Sequence, residues 1–524
     1  MVRLLSYLSG SWLSGEGTPS ILVDPSTEEP MAQVQGGGLP VLAALDHARR
    51  VGLPALSALS FGERATLLQS MAKVLHAQRE ALLDLSQQNG GNTRGDAKFD
   101  VDGAIGTLSA YAAVGQELAK RVGERRFLTD SAAIQLTREA RYVGQHVYVP
   151  RPGVAVHINA FNFPAWGTFE KVATAFLAGV PVITKPATAT ALVTFRMVEI
   201  LVEAGVLPAG SLQLICGGVG ELLDHLGPLD HLAFTGGSST GLLLRSNRNL
   251  LRNAARVNVE ADSLNAAVLG PDVAPGSDLW RTMVRTVRVD QTQKTGQKCT
   301  AIRRVFVPEA HLEAFGADLV EALDDVVVGN PLANGVTMGP VSTATQLRDG
   351  LAGIERLAAE GRVLRGGSAR VEGVGAPAGK GYFMQPTVLE VADGQAVHEL
   401  EVFGPVVSLI PYDGSAPAAA GMIARGQGSL VSTAASDDRS WLETFALASA
   451  PYLGRMLLLS KQVAEKATPP GMVLPSLIHG GPGRAGGGEE LGGERGLLFY
   501  MQRTAIAGDR VIIGKHFGED KAQV

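Results

Sequence analysis

The chain has 524 residues, 45% of them hydrophobic and 19% charged, with a formal net charge of −5. That length and apolar content support two or three packed domains and exclude wholesale disorder. The mildly acidic balance argues against nucleic acid as the main partner, because phosphate backbones need a concentrated basic surface.

The opening run Met1-Val2-Arg3-Leu4-Leu5-Ser6-Tyr7-Leu8 is broken at once by Ser9-Gly10-Ser11 and is too short for a signal peptide. No stretch approaches the ~20 uninterrupted apolar residues of a membrane span. Two cysteines, Cys216 and Cys299, cannot build a disulfide framework, so a cytoplasmic protein with no membrane partner is expected. From about Leu39 to Val122 the apolar residues recur at helical spacing and predict a helical opening layer. Ala133 to Pro150 is β-rich and predicts a projecting hairpin turning at Gly144.

After Pro152-Gly153 strands and helices alternate. Val154 to Ile158 reads as a strand, Ala165 to Leu177 as a helix led by Pro164, and Pro181 to Thr184 as a strand. A helix over Ala191 to Glu203 and strands at Leu212 to Ile215 and His231 to Phe234 follow. Such alternation predicts an α/β fold, with a parallel sheet covered by helices on both faces. A second α/β segment runs from near Asn265 to about Ile478. It leads into a glycine-rich stretch, Gly480 to Gly493, read as an ordered loop, and a β-like tail, Thr504 to Ile513.

Five short segments carry chemistry. Cys299 stands in Thr295-Gly296-Gln297-Lys298-Cys299-Thr300, where a glycine-containing turn suits an exposed nucleophile, although a lone cysteine also serves as a small buried hydrophobe. Phe161-Asn162-Phe163-Pro164 follows a strand, so Asn162 fits either an oxyanion donor at the sheet's carboxyl end or a plain helix N-cap. Lys185, in Lys185-Pro186-Ala187-Thr188, fits a ribose or phosphate contact or a solvated strand end. Phe234-Thr235-Gly236-Gly237-Ser238-Ser239-Thr240-Gly241 feeds a helix start of the kind that binds a pyrophosphate, without the spacing of a dinucleotide fingerprint. Glu260 ends the apolar run Val257-Asn258-Val259, and carboxylates in such places are uncommon unless partnered or functional.

Together these residues resemble the aldehyde dehydrogenase family over nearly the whole chain. Asn162, Lys185, the Thr235 to Gly241 turn, Glu260 and Cys299 match its motifs in order, and Glu401-Val402-Phe403-Gly404-Pro405 matches a further one. The resemblance implies a Rossmann-like cofactor domain over 1–133 and 152–265 and a catalytic α/β domain over 266–479. A small β bridging element over 134–151 and 480–524 would join subunits, so a homodimer is expected. Cys299 would be the nucleophile, Asn162 the oxyanion donor and Glu260 the general base, giving oxidation to a free carboxylate through a thioester. Lys298 is a candidate for favouring the thiolate. Ile158, Ala160, Phe161, Lys185, Thr188, Thr235, Gly236, Gly237, Ser238, Glu401 and Phe403 would contact the cofactor.

Members preferring NAD usually carry a glutamate three residues after the lysine, where this chain has Thr188. A carboxylate ~4 Å from a 2′-phosphate costs roughly 4 kcal/mol near a surface, so NADP is expected, with NAD as a poorer substitute. Ala261-Asp262-Ser263-Leu264 stands where most members follow the base with Leu-Gly-Gly-Lys, and Gly237 stands where many members carry serine. The segments around Asn162 and Cys299, with His479 to Gly488, resemble members acting on CoA-linked semialdehydes in aromatic and benzoate degradation. A simpler aldehyde is the alternative substrate, and a catalytically silent relative the remote one. The histidines show no metal-ligand spacing, and no metal is expected.

Overall fold

The computed structural model describes residues 1–518 apart from 393, 465 and 470. Two seven-stranded sheets organise the chain. The first has the spatial order Arg256–Glu260, His231–Thr235, Ala155–Ile158, Val182–Lys185, Leu212–Leu214, Ser6–Leu8, Ser11–Leu13. Its five strands from the middle of the chain are parallel. Ala155–Ile158 is buried throughout, as a parallel strand covered on both faces must be. The N-terminal pair joins antiparallel at the far edge. Three-residue strands carry too little alternation to be visible in a sequence.

From Ala155–Ile158 the chain builds outward to one side and then returns to build the other, beginning with His231–Thr235. The strand order therefore reverses between these two neighbours, and a crevice opens beyond their carboxyl ends. The second sheet runs Arg362–Arg365, Thr387–Glu390, Val406–Tyr412, Arg304–Pro308, Ala266–Leu269, Ser429–Ala435, Leu453–Leu459. All its pairings are parallel except that of the edge strand Arg362–Arg365.

The helical opening layer contains Phe61–Ala77 and Arg94–Val122, each started by a reciprocal capping box, Ser60 with Glu63 and Thr93 with Asp96. Against them packs Trp166–Ala178, nearly all of it buried. This helix begins two residues later than Pro164 suggested. Its exposed backbone donors are met by Asp100 of the long helix, which accepts from the N–H groups of Ala165 at 3.3 Å and Trp166 at 2.8 Å. A capping carboxylate supplied by another helix leaves Asn162 free of that duty.

Leu128–Gln135, Tyr142–Pro150 and Met501–Asp509 form a three-stranded antiparallel sheet with Tyr142–Pro150 at its centre. Gly144 is not the hairpin turn. It lies within the central strand, paired with Ile134 and Ala507, and the chain reverses over 136–141. The predicted β tail is likewise corrected, because Arg510–Phe517 is helical and Asp509 caps it. The glycine-rich stretch is ordered: Ile478–Gly480 pairs antiparallel with Glu489–Leu491, and the loop between them lies against the strand ending at Glu260. Gly488 N–H donates to Val259 O at 3.1 Å, and Ala261 N–H to Ala485 O at 3.0 Å. A Cβ at Gly486 would stand 2.1 Å from Val259 O, so only glycine permits this approach. No helix among the described residues is long and apolar enough to cross a membrane.

Candidate active site

A cavity of about 400 Å³ occupies the crevice where the strand order reverses. Ile158, Ala160, Phe161, Asn162, Lys185, Thr235, Gly236, Gly237, Glu260, Cys299, Glu401 and Phe403 all line it. Beside it, a narrower cavity of about 30 Å³ reaches Cys299 between Phe163, Trp166 and Val473. Cys299, Glu260 and Asn162 border both.

Cys299 follows an unusual backbone. Lys294 and Thr295 are both left-handed, with φ of 51° and 55°, and Gly296 continues at 66°. Left-handed conformations cost a non-glycine residue about 1–2 kcal/mol, so the surroundings must hold them. Asp96 accepts from Lys294 N–H at 2.9 Å, Thr295 Oγ1 donates to Gly339 O at 2.9 Å, and the Lys294 ammonium lies 4.5 Å from the Phe163 ring centre. Asp290 grips the other side: it pairs with the buried Lys298 ammonium and accepts from Ile302 N–H at 2.6 Å. Lys298 also donates to Gln293 Oε1 at 3.0 Å. Its charge is therefore committed to Asp290 and does not serve the thiolate.

Asn162 Nδ2 donates to Gln297 O at 3.0 Å, which fixes the amide beside the turn that carries Cys299. Glu260 is buried at its strand end. Next to it stands a residue to which the sequence reading gave no role: His479 Nε2 is 2.9 Å from Glu260 Oε2 and 3.8 Å from Cys299 Sγ. Burial alone would raise the Glu260 carboxyl, but the His479 ring reverses this and holds it at about 2. Burial pushes the Cys299 thiol up to about 12, and the Glu260 charge adds to that. Burial opposes protonation of His479, yet Glu260 and Cys299 carry it well above the ordinary imidazole range. Behind them lies a buried cluster in which Lys171 Nζ sits 3.3 Å from Glu170 and 3.1 Å from Glu490.

The cofactor side is less committed. Lys185 projects into the larger cavity, and burial lowers its pKa. Glu401 accepts from Ser263 N–H at 3.2 Å, and burial pushes its carboxyl up to about 7. Its Oε1 faces the Arg303 guanidinium at 3.7 Å but accepts no hydrogen bond, and the Thr235 hydroxyl is buried without a hydrogen-bond partner, so both could still meet a sugar or amide. The Phe403 ring lies 5.2 Å from the Arg303 guanidinium and 5.8 Å from the Phe161 ring. Two expected contacts lie elsewhere. Thr188 starts a short 3₁₀ turn and does not line the cavity. Ser238 is likewise outside the lining, and its N–H and hydroxyl donate to Asp262 at 2.8 and 2.6 Å. The departure after Glu260 thus places a carboxylate on the helix start where a phosphate was expected. Cys216 is buried and packs in the core.

A sheet crevice with an apolar channel to a cysteine, beside an amide and a carboxylate, defines an oxidoreductase site of the aldehyde-oxidising kind. Residues 12–449 match the aldehyde dehydrogenase family, and the chain belongs to it as an aldehyde dehydrogenase. It is 42% identical, over 92% of this chain and 93% of the relative, to 3,4-dehydroadipyl-CoA semialdehyde dehydrogenase of Aromatoleum evansii. It is 28% identical to α-ketoglutaric semialdehyde dehydrogenase of Bacillus subtilis, over 78% and 80% of the two chains. Among solved structures, lactaldehyde dehydrogenase of Escherichia coli shares the fold with a TM-score of 0.82 and 23% identity, covering 97% of this chain and 99% of that one.

Proposed function

We propose that this enzyme oxidises a CoA-linked semialdehyde to its carboxylate, with NADP as cofactor, in the degradation of an aromatic compound such as benzoate. The observation that carries the chemistry is the convergence of Cys299, Asn162 and Glu260 on the border between two cavities. The narrow one ends at Cys299, whose sulfur would meet the aldehyde carbon there. Asn162 then donates to the developing oxyanion, a contact typically worth ~3–4 kcal/mol. Glu260 serves the hydrolytic step, in which water releases the acyl group from Cys299 as a carboxylate.

The larger cavity fits a nicotinamide dinucleotide: Lys185 offers positive charge, Glu401 Oε1 an acceptor for ribose hydroxyls, and Gly236 and Gly237 close backbone approach. When bound, the dinucleotide supplies the two-electron acceptor for the reaction. Beside Lys185 the lining continues with Ala187 and not with an acid, which supports the preference for a 2′-phosphate. The substrate class rests on likeness to the Aromatoleum enzyme. A homodimer fits the exposed apolar side chains Ile134, Leu136, Val511 and Ile512 around the three-stranded sheet.

The test is a panel of aldehydes, including CoA-linked semialdehydes, assayed with both dinucleotides and repeated with Cys299→Ala. Highest kcat/KM for the CoA-linked substrate with NADP is expected, with turnover abolished in the variant. Equal or better kcat/KM with NAD overturns the cofactor assignment, and better use of simple aldehydes overturns the substrate.

A further inference from the structure

The strand Arg304–Pro308 begins just past the turn that carries Cys299, and successive side chains of an extended chain point to opposite faces. Arg304 turns into the packing of the second sheet, donating to Leu264 O at 2.8 Å and Met422 O at 3.0 Å. Arg303, also buried, turns toward the cleft. Its Nη2 donates to Lys298 O at 3.1 Å, one residue before Cys299, and its Nη1 to Gly404 O at 2.8 Å. The guanidinium lies 5.2 Å from the Phe403 ring, and its Nε faces Glu401 Oε1 at 3.7 Å. We propose that Arg303 is a positioning residue that ties Glu401 to the turn carrying Cys299, so that a ribose bound at Glu401 orders the backbone next to the sulfur. This inference rests on the reading of the larger cavity as a dinucleotide site and of Cys299 as nucleophile, and it assigns the link between them to one side chain.

The two segments meet without slack. A Cβ at Gly296 would stand 2.2 Å from Gly404 O, so the left-handed turn and the 401–405 segment are already in backbone contact, and Arg303 adds two directed hydrogen bonds across that contact. The backbone of Arg303 is itself fixed: its N–H donates to Asn265 O at 2.9 Å, and its carbonyl accepts from Ser408 N–H at 2.9 Å. Asn265 Nδ2 in turn donates to Cys299 O at 2.7 Å. With both ends of the side chain anchored, a shift at the guanidinium passes to Lys298 O instead of being absorbed along a flexible stem.

The third direction of the fork is where a ligand enters. Arg303 Nε and Glu401 Oε1 are both buried, and neither makes a hydrogen bond among the described residues. Buried polar groups are normally satisfied, so two that face each other beyond bonding distance point to a partner still to come. Glu401 Oε2 is anchored on Ser263 N–H at 3.2 Å, which leaves Oε1 as the free acceptor of a residue that lines the larger cavity. A ribose hydroxyl both donates and accepts, and so can donate to Oε1. The buried acids that answer the guanidinium are Glu401 and Asp290, and Asp290 is already committed to Lys298 and Ile302 N–H. A planar guanidinium can serve Lys298 O, Gly404 O and Glu401 at once, whereas an ammonium on a single stem cannot span all three.

The experiment titrates NADPH and NADH by fluorescence into full-length wild type, Arg303→Met, Arg303→Lys, Glu401→Gln and the double variant of Arg303→Met with Glu401→Gln. Arg303→Met should weaken binding of the tighter dinucleotide by about tenfold, and Arg303→Lys by less. In the Glu401→Gln background the same change should cost about twofold or less, because Arg303 acts through that carboxylate, whereas a generally loosened fold would weaken both backgrounds equally. Hydrogen exchange reads the far side of the link, with ADP-ribose and its 2′-phosphate as probes, which end at the ribose and carry no nicotinamide. The tighter probe should slow exchange over 294–301 as well as 401–405 in the wild type, and over 401–405 alone in Arg303→Met. Should the Arg303 variants not fold, the wild-type exchange decides. Wild-type affinity in folded Arg303→Met, losses that add across the two backgrounds, or protection confined to 401–405 in the wild type overturn the proposal. With tight dinucleotide binding in the wild type, those outcomes remove only the role of Arg303; a wild type that binds neither dinucleotide removes the reading of the cavity with it.

Discussion

The two walls of the cleft are built differently. The Cys299 wall is fixed by buried polar groups: a left-handed turn, Asp96 and Asp290 gripping it from either side, and a histidine wedged between thiol and carboxylate. The facing wall consists of strand ends and a helix start, with the Thr235 hydroxyl lacking a hydrogen bond, Glu401 Oε1 met only by the Arg303 guanidinium at 3.7 Å, and Asp262 sitting on the Ser238 donors. The first wall holds the cysteine through buried charge pairs and backbone contacts, and the second leaves more of its polar groups open to a ligand. The contrast teaches that rigidity is concentrated where a single atom must be placed, while recognition is left to groups whose partners are still to come.

Four substitutions probe that contrast. Lys298→Met should have the largest effect, because it leaves Asp290 buried and unpaired: a loss of about 3–5 kcal/mol of stability, read as a fall in Tm. Asn162→Ala, which removes the proposed oxyanion donor, should lower kcat by about 10²–10³-fold while the Tm changes little. Glu401→Gln acts on the receptive wall. The folded protein holds a proton on Glu401 up to about pH 7, whereas the unfolded chain releases it near the ordinary carboxyl value. The native state therefore binds more protons between those values, and stability of the cofactor-free enzyme should fall as pH rises through that window. Chemical denaturation across pH should show this slope in the wild type and a flatter one in the variant. Smallest is Asp262→Asn, which removes a carboxylate from the helix start and should lower KM for the dinucleotide by about two- to fivefold, with kcat unchanged. An unchanged or higher KM would mean that the cofactor does not meet this helix end.

What could be read from the sequence divides along similar lines. The α/β alternation from Val154 onward was legible because apolar strands and amphipathic helices leave local patterns. Asn162, Glu260 and Cys299 stood out as reactive residue types at strand ends or on a turn, and the structure brings them together. Long-range pairings were not legible. His479 is 180 positions from Cys299, and nothing local marks it as the neighbour of that sulfur. Ser238 looked available for a phosphate because its partner, Asp262, belongs to a different loop. Gly144 resembled a turn residue, yet it sits in mid-strand, where a Cβ would come 3.2 Å from the Leu136 side chain. Asn162 could not be separated from an N-cap until Asp100 was seen to do that work.

The path of the C-terminal segment has a practical consequence. Within some thirty residues it supplies the histidine beside Cys299, the glycines that let it lie against Val259, and the strand Met501–Asp509 that completes the small sheet. A shortened version ending before residue 478 would lose all three at once. Efforts to pare this enzyme to a minimal working unit must therefore keep the strand Met501–Asp509.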